Sequence, residues 1–230
     1  MGREKAVGIS LKYDGKIAVL DLGDGENRFS PVFLDEMNSH LDEIVGSGAA
    51  GLVTTAAGKF YTNGLDLDWL AAHGEQTQWY VGQVQAILAR ILTLPVPTAA
   101  AIVGHAFGAG AMLALAHDFR VMRADRGYFC FPEADIRIPF TPGMAALIQA
   151  KLTPQAAVAS MTTGRRFGGD DAASHGLVDA TAGEGAVTAA AVDLLRPLGG
   201  KDPGTLGAIK QTMFGPAAEA LIADAAASSD

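Results

Sequence analysis

Two glycine-centred turns are the segments of this sequence whose residue types best suit chemistry. The first, KFYTNGLDL, runs from Lys59 to Leu67, and the second, GHAFGAG, runs from Gly104 to Gly110. Each follows an apolar run typical of a strand and precedes a pattern typical of a helix, so each presents unpaired backbone N–H groups. Two such turns side by side can hold one oxygen atom between two donors, which is an oxyanion hole. The alternative is a pair of ordinary connections in which glycine permits tight packing.

Among the carboxylates of the sequence, Glu133 has the surroundings that best suit a general base. It follows an apolar run at 129–131 and Pro132. Apolar surroundings disfavour the ionised form of a carboxyl group and raise its pKa. A raised pKa suits a general base that removes a weakly acidic C–H proton. The alternative is a solvated glutamate at a strand end.

Several common motifs are absent from the sequence. It contains no Gly-x-Gly-x-x-Gly turn that opens a helix, no Walker-type Gly-Lys-Ser/Thr and no Gly-x-Ser-x-Gly nucleophile elbow. The single cysteine, Cys130, excludes an internal disulfide and any cysteine-cluster metal site, and its apolar context predicts an inert core residue. The five histidines show no metal-ligand spacing. We interpret His117, beside Asp118 at a predicted helix end, as a cationic cap.

Composition indicates an ordered protein without nucleic-acid or membrane partners. Of 230 residues, 49% are hydrophobic and 18% charged, which excludes disorder as the main state. The net charge of −8 and the lack of a Lys/Arg run argue against nucleic-acid binding. The stretch Leu94–Ala116 is long enough to span a membrane, but Pro95, Pro97 and three glycines favour strand, turn and helix instead. With no apolar leader before the first strand pattern, we expect a cytoplasmic protein.

Alternating strands and helices must position the two turns. A hairpin at Asp14-Gly15 joins strand patterns at 6–13 and 16–22. A helix begins at Pro31 with Ser30 as its N-cap. Further strands are predicted at 51–56, 98–103, 119–123, 128–131 and 177–178, and further helices at 67–72, 78–94, 109–116, 141–151 and 155–162. The alanine-rich remainder is mostly helical, so the fold class is an α/β core with a C-terminal helical layer.

Several of these blocks, taken in order, resemble the crotonase (enoyl-CoA hydratase/isomerase) superfamily across roughly residues 6 to 215. They are residues 64–67, 97–110, 117–120, 163–167 and 176–178. Residues 58–64 and 117–127 resemble most closely the plant-type enoyl-CoA delta isomerases. The resemblance implies a crotonase-like spiral of ββα turns over residues 1–195 and a short C-terminal helical region over 196–230. It also implies a homo-oligomer, either a trimer or a dimer of trimers.

The resemblance further implies a site for an acyl-CoA substrate. Its thioester oxygen is expected between the backbone N–H of Leu65, after Gly64, and that of Ala109, after Gly108. The implied substrate-binding residues are Asn27, Gly64, Leu65, Asp66, Leu67, Gly108, Ala109, Met112 and Phe131. The apolar residues 138–140 are expected to help wall the acyl chain. No metal or redox cofactor is expected, because coenzyme A comes as part of the substrate.

A departure from the hydratase pattern favours an isomerase. Hydratases of this superfamily carry two glutamates, and the first of these positions corresponds here to Met112 while the second matches Glu133. Addition of water needs two positioned acid/base groups, whereas one base can move a double bond. The expected reaction is the conversion of 3-enoyl-CoA to 2-enoyl-CoA, with Glu133 as the catalytic base.

Two alternatives stay open. One is hydration or hydrolysis with water activated by another carboxylate near the site, namely Asp66, Glu75 or Asp135. The other is an inactive acyl-CoA-binding protein that retains the fold.

Overall fold

The computed structural model describes residues 8–226. Its strands are β1 (Ser10–Asp14), β2 (Ile17–Asp21), β3 (Gly51–Thr55), β4 (Phe60–Thr62), β5 (Thr98–Ile102), β6 (His105–Phe107), β7 (Phe119–Arg123), β8 (Phe129–Cys130) and β9 (Ala180–Ala182). Its α-helices are α1 (Pro31–Gly46), α2 (Leu67–Ala72), α3 (Thr77–Leu92), α4 (Ala109–Ala116), α5 (Glu133–Ile136), α6 (Pro142–Lys151), α7 (Pro154–Met161), α8 (Gly169–Ser174), α9 (Val187–Leu195) and α10 (Pro203–Ala226).

The strands form two sheets that share consecutive segments of the chain. The large sheet has the order β1-β2-β3-β5-β7-β9 and is parallel apart from the β1–β2 hairpin, while the small parallel sheet has the order β4-β6-β8. In each pair β3–β4, β5–β6 and β7–β8, the first strand joins the large sheet and the second joins the small one. Helices follow each pair. The result is the spiral of ββα turns that the resemblance implies.

Local sequence signals explain the first hairpin and the first helix. Asp14 pairs with Ile17, so the two loop residues are Gly15 and Lys16, one position later than predicted. Residues 6 and 7 of the predicted first strand lie outside the described residues. The Ser30 hydroxyl accepts a hydrogen bond from the Phe33 N–H at 3.2 Å, which confirms the predicted N-cap.

Three short strands differ from the prediction. β4 and β6 lie inside the two glycine turns, where no strand is predicted, because three residues are too few to show an alternating pattern. The last strand is β9, not residues 177–178. Leu177 and Val178 are buried just after α8, so their apolar character reflects core packing rather than a strand. The predicted strand and helix within 94–116 are confirmed as β5 and α4, and the predicted turn between them contains the strand β6. Among the helices of residues 8–226, none has the length and apolar character needed to cross a bilayer.

His117 corrects the interpretation of a cationic cap. The side chain is fully buried, and burial lowers its pKa to about 3, so the imidazole is neutral at pH 7. Nδ1 lies 2.8 Å from the Leu113 carbonyl oxygen, which can only accept, so Nδ1 carries the proton. Nε2 therefore accepts from the Thr54 hydroxyl at 3.0 Å, and Thr54 in turn accepts from the Tyr61 hydroxyl at 2.7 Å. This neutral network links α4 to β3 and β4.

A buried ion pair fastens α10 to the sheet. The Lys210 ammonium lies 2.6 Å from an Asp118 carboxylate oxygen and donates a hydrogen bond to the Val96 carbonyl at 2.8 Å. The same Asp118 oxygen accepts from the Thr98 backbone N–H at 2.8 Å. Helix α10 also packs against α3 and α6, which surround the active-site region described below.

We expect Lys210→Met to lower the free energy of unfolding by about 3 kcal/mol, the lower end for a buried pair, because it leaves the partly buried Asp118 carboxylate without its nearest cation. Urea denaturation at pH 7 measures this loss. Lys201→Met is the matched control: it removes an exposed lysine and should change stability by no more than about 0.5 kcal/mol. Equal unfolding midpoints for the two variants would contradict the prediction.

Candidate active site

A cavity of about 310 Å³ lies where the two glycine turns meet α5 and the start of α6. It is lined by residues of both turns, by apolar side chains and by the polar residues Arg28, Asn63 and Asp68. The lining residues are Arg28, Asn63, Leu65, Leu67, Asp68, Phe107, Gly108, Ala109, Met112, Pro132, Glu133, Ile136, Ile138, Pro139 and Met144.

The two turns contact each other directly. Gly64 has φ +78°, and a Cβ at this position would lie 2.6 Å from the Phe107 carbonyl oxygen and 3.1 Å from the Ala109 nitrogen. Only glycine permits this approach. Within residues 8–226, neither the Leu65 N–H nor the Ala109 N–H donates a hydrogen bond. Two free donors therefore lie at the place where the turns meet, and one of them opens helix α4.

Two side chains hold the first turn in place. The Thr62 hydroxyl accepts from the Gly64 N–H at 3.0 Å and donates to the Asn27 carbonyl at 2.7 Å. The Tyr80 hydroxyl, fully buried on α3, accepts from the Asp66 N–H at 2.8 Å. Sequence reasoning missed Tyr80. The available signal was that a tyrosine on a buried helix face needs a partner for its hydroxyl.

Glu133 presents its carboxyl group to the second turn. A Cβ at Gly108 would lie 3.3 Å from Glu133 Oε1, so the two groups are adjacent. The residue is 9% exposed, and Oε2 has no hydrogen-bond partner among the described residues. Burial raises the pKa of Glu133 to about 7, partly offset by a hydrogen bond from its own backbone. Near neutral pH this carboxyl group can therefore both accept and return a proton.

The other carboxylates near the cavity are exposed, cap a helix or lie outside its lining. Asp68 lines the mouth of the cavity, but its side chain is 88% exposed and is paired with Arg28. Asp66 caps α2 by accepting from the Trp69 N–H at 3.1 Å. None of the three alternative water activators, Asp66, Glu75 and Asp135, lines the cavity. Met112 does line it and is fully buried. Among the described residues, Glu133 is thus the buried carboxyl group of this cavity.

Comparison with known proteins identifies the family. A family model described as enoyl-CoA hydratase/isomerase matches residues 13–230. The chain belongs to the enoyl-CoA hydratase/isomerase family. The predicted membership of the crotonase superfamily, and with it the prediction that the chain is an enzyme, is confirmed.

Named relatives of this enoyl-CoA hydratase/isomerase family member catalyse different reactions. Enoyl-CoA delta isomerase 2, peroxisomal, of Arabidopsis thaliana is 37% identical over 204 residues, which are 84% of this chain and 85% of the relative. Carnitinyl-CoA dehydratase of Escherichia coli strain K12 is 36% identical over 163 residues, 70% of this chain and 61% of the relative.

Solved structures confirm the crotonase fold. The crystal structure of a probable enoyl-CoA hydratase, EchA3, from Mycobacterium tuberculosis H37Rv superposes with a TM-score of 0.89 at 24% identity. The match covers 95% of this chain and 93% of that one. The ββα spiral and its C-terminal helices are therefore those of the superfamily.

The predicted site residues of this family member fall into three groups. Lining the cavity are Leu65, Leu67, Gly108, Ala109, Met112 and Glu133. Behind the wall lie Gly64 and Asp66, which shape the first turn. Away from the lining lie Asn27, whose amide donates to the Tyr61 carbonyl at 3.0 Å, and Phe131, which is fully buried against Phe140. The structure thus does not bring Asn27 or Phe131 to the predicted substrate-binding surface.

Proposed function

We propose that this enzyme converts 3-enoyl-CoA to 2-enoyl-CoA thioesters, with Glu133 as the only proton carrier. The observation that carries the proposal is the single buried carboxyl group, which faces the meeting point of two free backbone donors. The resemblance to delta isomerases over 84% of the chain supports it. Met112, at the position of the first hydratase glutamate, supports it as well.

The reaction begins with removal of a proton. The thioester carbonyl oxygen accepts hydrogen bonds from the Leu65 and Ala109 N–H groups. The Glu133 carboxylate takes a proton from C2, and the C–H electron pair moves into the conjugated dienolate, whose charge rests mainly on the thioester oxygen. The two N–H groups are preorganised for this charge and stabilise it more than they stabilise the neutral carbonyl.

The reaction ends with return of the same proton. The Glu133 carboxylic acid delivers it to C4, the double bond moves from C3–C4 to C2–C3, and the carboxylate is regenerated. Substrate and product differ only in the position of a proton and a double bond. The scheme therefore uses no metal or redox cofactor, and coenzyme A enters and leaves with the acyl group.

The pH dependence of kcat/KM should follow the ionisation of the Glu133 carboxyl group. Because the carboxylate is the active form, and because burial raises its pKa to about 7, kcat/KM should rise with pH and level off above about 7. A pH–rate profile from pH 5 to 9 measures this. A profile already flat at pH 5.5 would mean that the titrating base is a carboxylate with an ordinary pKa, and so not Glu133.

Turnover of hex-3-enoyl-CoA tests the reaction itself. The product is detected with a separate enoyl-CoA hydratase and a hydroxyacyl-CoA dehydrogenase, and omitting the added hydratase shows whether the protein hydrates by itself. We expect NADH formation only when the added hydratase is present. Binding of the substrate without turnover would instead favour an inactive acyl-CoA-binding protein.

Hydration or dehydration is the second candidate function. The similarity to carnitinyl-CoA dehydratase favours it. Incubation of 2-enoyl-CoA in ¹⁸O-labelled water distinguishes the candidates, because a hydratase places the label in a C3 hydroxyl group and an isomerase does not. The lack of a second buried carboxyl group in the described cavity supports the isomerase.

Assembly and location stay predictions. The trimer, or dimer of trimers, is implied by the resemblance, and sedimentation equilibrium measures it. A cytoplasmic location is predicted from the sequence, while two Arabidopsis relatives carry the word peroxisomal in their names.

A further inference from the structure

Arg137 combines a left-handed backbone conformation with a side chain that has no hydrogen-bond or ion-pair partner among the described residues. It ends helix α5 with φ +61°, in the left-handed region that favours glycine. The other non-glycine residue with positive φ among those described, Asn27, uses its amide to bind the Gly23 and Tyr61 carbonyls. The Arg137 side chain makes no hydrogen bond or ion pair with any residue of the described range 8–226. The Arg137 backbone N–H donates to the Glu133 carbonyl as a helix C-cap, so the left-handed conformation serves the helix end while the guanidinium group has no such partner within the described range.

Arg137 lines a shallow, open groove beside the active-site cavity. This distal groove, about 320 Å³ in volume, shares Glu133, Ile138 and Pro139 with the cavity. Phe140 and Met161 add apolar surface beyond them. Because Glu133 lines both spaces, an acyl chain that enters the groove from the two backbone donors would have to pass Glu133. The groove is therefore suited to the far end of the chain.

We propose that the distal groove binds the end of the acyl chain and that Arg137 recognises a carboxylate there. The preferred substrates are then CoA thioesters of unsaturated dicarboxylic acids. This inference rests on the proposed function, since it assigns the substrate class of the same site. A guanidinium group matches a carboxylate through two parallel N–H···O hydrogen bonds, and Phe140 and Met161 offer apolar surface to the chain.

The neighbouring charges leave the guanidinium free for this role. Asp135, two residues earlier, lies against the Gly164 turn, where a Cβ would be 2.3 Å from its Oδ2. Glu133 is the other acid of the groove, and its pKa is raised by burial and lowered only by its own backbone hydrogen bond. A carboxylate ligand would meet Arg137 without competition from an internal acid.

Binding of saturated thioesters tests the inference independently of turnover. Calorimetry compares hexanoyl-, octanoyl- and decanoyl-CoA with the mono-CoA thioesters of hexanedioic, octanedioic and decanedioic acid. For at least one chain length, the mono-CoA thioester of the dicarboxylic acid should bind the wild type about tenfold more tightly than the monocarboxylic acyl-CoA of equal length. Arg137→Met should remove this preference while leaving monocarboxylic binding within about twofold.

Two further variants sharpen the result. Arg137→Gly relieves the left-handed backbone, so it should lose the preference without losing thermal stability. Lys12→Met removes one exposed positive charge on β1 and should keep the preference, which excludes a general effect of net charge. The inference is overturned if no chain length shows the preference, or if Arg137→Met weakens both members of a pair equally. If the wild type turns over no enoyl-CoA, the proposed function fails, and these affinities still decide the role of Arg137.

Discussion

Glu133→Gln should reduce the turnover of 3-enoyl-CoA by about 10²–10⁴-fold, the usual contribution of a positioned general base. Glutamine has the same shape but cannot accept the C2 proton. Oε2 has no partner among the described residues, so the substitution breaks no side-chain network at that atom. The loss should therefore appear in kcat, while the affinity for a saturated acyl-CoA stays near the wild-type value. Steady-state kinetics with hex-3-enoyl-CoA and calorimetry with hexanoyl-CoA measure the two quantities.

The free energy of unfolding of Glu133→Gln tests the burial of this carboxyl group in a second way. The pKa of Glu133 is raised by burial from 4.5 to about 7 in the folded protein. Folding thus favours the protonated form, and the ionised form destabilises the folded protein as pH rises from about 4.5 through about 7. Glutamine stays neutral, so Glu133→Gln should gain stability relative to the wild type over this range. A constant stability difference between pH 5 and 8 would show that Glu133 is not desolvated as described.

Glu75→Gln is the matched control for activity. Glu75 is an exposed glutamate near the first turn that does not line the cavity. Its substitution removes the same charge and should leave kcat and KM unchanged. If Glu75→Gln abolished turnover and Glu133→Gln did not, the assignment of the base would be wrong although the reaction could stand.

The sequence is most informative where local chemistry decides the structure. The apolar face of α1, its Ser30 cap and the buried helix α4 all follow from spacing and residue type, because the competing conformations would expose apolar surface or leave donors unpaired. The meeting of the two glycine turns follows from the family resemblance rather than from spacing. Nothing local states that the Gly64 turn touches the Ala109 nitrogen.

The parts that could not be predicted depend on long-range packing. His117 was interpreted as charged because its helix-end position favours a cation, but burial outweighs that local effect and makes it neutral. Asn27 lies in a loop that suggested substrate contact, yet its amide stabilises its own left-handed backbone and β4. Tyr80 supports the first turn from α3; a tyrosine on a buried helix face signals that its hydroxyl needs a partner, but not that this partner is the Asp66 N–H. In each case the decisive partner lies far away along the chain.

Gly64→Ala should reduce kcat by about 10²–10³-fold, the cost of losing one oxyanion donor. The added methyl group would lie 2.6 Å from the Phe107 carbonyl oxygen, so the two turns must separate and the Leu65 N–H must leave its position opposite Ala109. The effect should fall on kcat more than on KM, because the donors act most strongly on the charged dienolate.

Gly176→Ala is the control that separates this effect from backbone strain. Gly176 also has positive φ, +68°, but nothing lies within 4 Å of its Cβ position. Both variants should lose thermal stability through backbone strain, Gly64→Ala more because of its added clash, and only Gly64→Ala should lose turnover. Equal turnover in the two variants would mean that the Leu65 N–H does not stabilise the reacting oxygen, and the second turn alone would then have to carry that role.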